Sequence, residues 1–227
     1  MFNFFVTLLI KTYRIFAVFY PKTYCMKPKK FKGVPKQKFG GFHDTETRKI
    51  FDQDSMSLKF ETLKERFFSV NKWQSYCGAA FAAFKLYDFS GHPVDREPQK
   101  GDFIRIDIPG PGESEAKGYD WVEITDLCFY QNSFAESITM TCRPSRNPED
   151  KKNRHIAHFY SSGATSTFMI SKSPAHVKAA VYGRNERPNL NAKLLDVIRN
   201  LVTAAGGMMG TAKIQWKQLT DSLLDFE

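Results

Sequence analysis

The chain has 227 residues, 42% hydrophobic and 15% aromatic, with 33 basic and 24 acidic residues and a formal net charge of +9. That length supports one well-buried domain, and no Pro/Ser-rich linker splits the middle of the chain. All nine excess charges lie between Lys11 and Lys38 and no acid precedes Asp44, so the body is neutral, which excludes it as a general nucleic-acid binder by charge.

The first 20 residues are apolar but carry Lys11 and Arg14 near their centre. Central charges are costly in a membrane span, and a secretory signal would place its charge before the apolar run. Asn3, Thr7, Lys11 and Arg14 recur at helical spacing, which can make an interfacial helix followed by a basic anchor. The preferred reading takes Met26 as the translation start and residues 1–25 as an upstream extension that the cell does not make. The lysine run after Met26, interrupted by Pro28, Gly33 and Pro35, reads as a solvated, disordered tail. The expected organisation is a basic leader over residues 1–43 and a single α+β domain over 44–227.

Met56, Phe60, Leu63, Phe67 and Val70 recur every three or four residues, which predicts a one-sided amphipathic helix, with Trp73 as a core anchor at its end. The period then changes to two. Phe84 and Leu86 alternate with Lys85 and Tyr87, and the Asp88–Gly91 stretch reads as a turn. Residues 101–108, GDFIRIDI, are the clearest strand, with Ile104, Ile106 and Ile108 on one side and Phe103, Arg105 and Asp107 on the other. The Pro and Gly of PGPG (109–112) stop it. Further strands are expected at 119–127, 136–142, 165–171 and 176–182, with a charged loop over 143–154. A helix is predicted over 192–205, capped by Asn189 or Asn191 and closed by Gly206-Gly207, followed by a last helix with Trp216, Leu219 and Leu223 on one side.

Strands gathered between helices point to an α+β fold. The expectation is an antiparallel sheet of about six strands, partly closed or curved, packed by an N-terminal amphipathic helix and two C-terminal helices. The order of elements is similar to the helix-grip architecture of START-like proteins, in which a curved sheet closes over a long helix; those proteins also carry a strand before the first helix, and none is read here. An SH3-like, partly closed barrel around GDFIRIDI is the alternative. The motifs GDFIRIDIPGPG, GYDWV, ATSTF, GRNERPN and QWKQL resemble a group of bacterial proteins with no assigned activity. That resemblance spans roughly residues 55–224 and implies a stand-alone bacterial domain, with no catalytic residue or ligand attached.

The four cysteines are scattered with no CxxC pair and read as reduced thiols of a cytoplasmic protein. His155 and His158 have no HExxH pattern or carboxylate companion and read as a surface or hydrogen-bonded pair, so neither a metal nor a cofactor is expected. GGMMGTAK (206–213) lacks phosphate-loop spacing and reads as a break between helices. Arg105, Asp107, Asp120 and Glu123 read as a charge ladder on a solvated sheet face; lining a cleft, the carboxylates could serve as acid and base. Arg184, Asn185, Glu186 and Arg187 are the leading candidates for binding, since Arg grips carboxylates with two bonds and loops carry recognition. The functional expectation is a cytoplasmic, non-enzymatic binding domain for a partner protein or a small apolar ligand. The alternatives are a hydrolase or transferase using sheet carboxylates with a histidine, and peripheral membrane or nucleic-acid attachment through the lysine run. Membrane contact is expected only if residues 1–25 are translated.

Overall fold

The computed structural model describes residues 27–108, 118–150, 152, 155–189 and 211–226. Seven strands form one antiparallel sheet: β1 (Gly41–Lys49), β2 (Ala83–Tyr87), β3 (Phe103–Asp107), β4 (Asp120–Gln131), β5 (Glu136–Pro144), β6 (Thr165–Lys172) and β7 (Val177–Glu186). Their spatial order is β1-β7-β6-β5-β4-β3-β2, so β2 to β7 meander and the first strand lies beside the last. With β1 and β2 as free edges the sheet is open, which corrects the expectation of partial closure and removes the barrel alternative.

The expected strands are all present within a few residues of their predicted limits. The strand that sequence reading lacks is β1, which begins at Gly41, inside the segment assigned to the leader. Its inward positions are His43, Thr45 and Thr47, so the apolar alternation that reveals a strand is absent.

Two helices follow β1: α1 (Gln53–Phe68) and, after a single 3₁₀ turn at Val70–Lys72, the short α2 (Trp73–Cys77). Asp52 caps α1 by accepting from the Ser55 backbone N–H at 2.8 Å. The predicted stripe is the buried one, since Met56, Phe60, Leu63, Phe67 and Val70 all lie in the core. Each such side chain contributes about 1.5–3 kcal/mol by leaving water. Trp73 is fully buried, and its indole N–H is shared between the carbonyls of Arg66 and Phe67, both at 3.2 Å. The C-terminal helix, α3 (Thr211–Leu223), buries Leu219 and Leu223 against β1, β7 and α2. The helix predicted over 192–205, the PGPG stop and most of GGMMGTAK lie outside the described residues.

Strand, two helices, six-stranded meander and C-terminal helix is the helix-grip order, with the initial strand supplied by β1. All three helices pack on one face of the sheet, the inner face, which carries Ile104, Ile124, Ile138, Ile170 and Val181. On the outer face, residues 27–40 form a strap whose Phe31 and Val34 cover Met169, Ala180 and Tyr182, with the Phe31 and Tyr182 rings 4.9 Å apart. Strand β7 therefore has cover on both sides, and all ten of its residues are buried.

Candidate functional site

Between the inner face and α3 lies a cavity of about 70 Å³. Phe84, Ile106, Ile108, Val122 and Phe168 of the sheet and Trp216 of α3 make most of its wall. The polar part comes from Cys142, Ser166 and Glu186 on adjacent strands and from His158 and Tyr160, which lie just before β6. Burial pushes the Cys142 thiol up to about 12, so it remains protonated and inert at neutral pH.

The polar end is built around a position without a side chain. His43 on β1 is in register with Gly183 on β7, and the imidazole and the Glu186 carboxylate occupy the space that a Cβ at 183 would take. His43 Nδ1 is 2.8 Å from Glu186 Oε1, and both side chains are buried. A carboxylate only accepts, so Nδ1 carries the proton of this bond and Nε2 is the ring nitrogen left over for another partner. That Nε2 has no partner among the described residues. Trp216 lies nearly parallel to the His43 ring, with centroids 6.5 Å apart, so α3 covers this end.

Tyr160 contributes the complementary group. Its hydroxyl is buried without a partner, and burial, reinforced by the negative charge of Glu186, raises it far above the ordinary phenol value. It therefore acts as a hydrogen-bond donor. Its placement comes from a local scaffold: the Tyr160 N–H donates to His158 Nδ1 at 2.9 Å, and Asn189 Nδ2 donates to the carbonyls of Ile156 and His158. Asn189 thus pins this segment to the end of β7. The cavity can be offered one hydrogen bond by the Tyr160 hydroxyl, while His43 stands behind Glu186 as the group that orients its carboxylate. A histidine oriented by a carboxylate is also the arrangement that general bases use.

The GRNERPN segment does contact peptide, and the peptide is the chain's own strap. Arg184, 1% exposed, donates from Nη1 to the carbonyl of His43 at 3.0 Å and from Nη2 to that of Lys29 at 2.8 Å, and pairs with Asp44 at 2.7 Å. Asn185, the one described non-glycine residue with positive φ (57°), accepts at Oδ1 from the N–H groups of Lys38 and Phe39 and donates from Nδ2 to Lys36 O. Arg187 lies 4.3 Å from the centre of the Phe39 ring. Glu186 alone faces the cavity.

Arg105, Asp107 and Asp120 are not brought together. Asp107 is exposed, whereas Asp120 is in register with Ile106 and shares its inner face, 1% exposed. Arg105 is on the outer face, with its guanidinium 4.2 Å from the Tyr119 ring centre. The two aspartates thus lie on opposite faces, and the expected ladder does not form. His155 is exposed while His158 lines the cavity. Among the described residues no group of three or more His, Cys, Asp or Glu side chains is placed to hold a metal, and no helix is long and apolar enough to cross a membrane. His43, Tyr160 and Trp216 are the site residues that sequence reading missed. The one local signal was the Thr45/Thr47 alternation after His43, which marks a strand with a polar inner side.

No family model matches the chain, and no curated protein matches it. Among solved structures, a hypothetical protein from Helicobacter pylori is similar at 9% identity and a TM-score of 0.40, over 85% of this chain and 98% of that one. Ara h 8.0201 is similar at 10% identity and a TM-score of 0.31, over 81% of this chain and 99% of that one. Neither likeness assigns a residue or a ligand.

Proposed function

We propose that the chain is a binding domain that takes up a small, largely apolar ligand between the inner face of its sheet and α3. The observation that carries this reading is the cavity, with its aromatic and aliphatic wall and its few inward polar groups. Binding pockets combine an apolar lining with a small number of placed donors and acceptors in this way. At about 70 Å³ the cavity is roughly half the size of a ~150 Å³ cavity that admits benzene. A ring-sized ligand therefore enters only if Trp216 moves with α3, which would also uncover His43.

The test is an NMR titration of the whole chain with toluene. Saturable shifts at the methyls of Ile106 and Ile108 and at the Trp216 indole are expected. Shifts absent there, or present only at exposed aromatic residues such as Phe89 and Phe134, would overturn the proposal.

A further inference from the structure

The outer face carries a pocket of different chemistry. A depression of about 500 Å³ lies between residues 33–39 of the strap and strands β4 to β6. Lys36 and Lys38 line it from the strap and Arg143 lines it from β5. None of these three has a carboxylate partner among the described residues. The single acid in the lining, Asp126, is already engaged, 3.9 Å from Lys100 Nζ and accepting from the Cys128 thiol at 3.0 Å. On the wall, Thr165 is 5% exposed and its hydroxyl has no partner, although it is a ready donor.

We propose that this pocket binds a small phosphorylated molecule. Three cations against one acid leave an excess of about two positive charges, which matches the charge of a phosphate monoester near neutral pH. Lysine, arginine and threonine hydroxyl are the groups that phosphate oxygens accept from. The volume points beyond a bare ion, because about 500 Å³ falls in the range of small-molecule pockets and leaves room for an organic body against Pro35 and Phe39. The strap backbone is fixed: Asn185 ties the main chain of Lys36, Lys38 and Phe39 to the end of β7, so the two lysines project from an anchored backbone. The site lies on the opposite face of the sheet from the proposed inner cavity and does not depend on it.

The experiment is calorimetric titration of the whole chain with ribose 5-phosphate, ribose and inorganic phosphate at constant ionic strength. Saturable binding of ribose 5-phosphate is expected, with no binding of ribose and weaker binding of inorganic phosphate. Combining Lys38→Gln with Arg143→Gln should lower the affinity at least about tenfold, with the urea midpoint unchanged because both side chains are exposed. Ribose 5-phosphate that fails to bind, or binds the double variant equally well, would overturn the proposal. So would co-sedimentation with phosphatidylglycerol vesicles in the absence of sugar-phosphate binding, which would move the phosphate contact to a lipid surface.

Discussion

A methyl group at position 183 would enter the volume that the His43 ring and the Glu186 carboxylate share. The constraint at this residue is one of space, since β7 is an extended strand there and pairs with both neighbours. Gly183→Ala should therefore part the buried pair and leave a carboxylate short of its donor. Overpacking and a lost buried hydrogen bond cost about 1–3 kcal/mol each, and each kcal/mol is roughly 2–4 °C of melting temperature for a chain of this size. Differential scanning calorimetry would check this, and an unchanged melting temperature would show that the pair does not hold the strand edge. The same residue illustrates why the site is obscure in one dimension. Glycine in a strand signals a close approach, but His43 and Glu186 are 143 positions apart and nothing local couples them.

At the scale of elements, the strap and the end of β7 act as one unit. Asn185 adopts a left-handed conformation that glycine also tolerates, so Asn185→Gly removes the side-chain bonds to Lys36, Lys38 and Phe39 without adding backbone strain. Faster amide exchange across residues 29–39 is expected, with the α1 amides unchanged. Uniform acceleration throughout the chain would instead mean that the strap is integral to global stability. Elements were legible where one side is apolar: Ile104 and Ile106 expose β3, and the Met56 to Val70 stripe exposes α1. Strand β1 was not, because its inward side chains are stabilised by polar partners supplied from elsewhere, such as Thr47 bonded to Thr220 and Asp221 of α3. In the same way Arg184 to Arg187 stood out by composition, while their partner, the strap, became visible only in three dimensions.

The whole molecule has a pH dependence centred on the outer face of β1 and β7. Burial alone would raise the Glu46 carboxyl, but bonds from Lys29 at 2.6 Å and from the Tyr182 hydroxyl at 2.5 Å, with the charge of Lys178, hold it at about 2. A carboxylate whose value falls from 4.5 unfolded to about 2 folded adds stability that is complete above the unfolded value. That stability drains away as pH drops from about 4.5 to about 2. Glu46→Gln should thus be less stable than the native chain at neutral pH, where it leaves Lys178 buried with less opposing charge. The two urea unfolding curves should converge toward pH ~2. A constant gap across that range would assign the loss to other groups.

The adjacency of the first and last strands also sets a timetable. The His43–Glu186 contact closes a loop of 143 residues, so β1 and the strap are made first and can dock only when nearly all the described chain has been made. At about 5–20 residues per second that is roughly 7–29 s. During this interval β1 has no partner strand, and residues 27–49 present lysine-rich sequence in which Val34 is the one aliphatic side chain. A polar first strand is therefore the form best suited to waiting: its composition hides it from a reader of the sequence and keeps it from pairing prematurely on the ribosome.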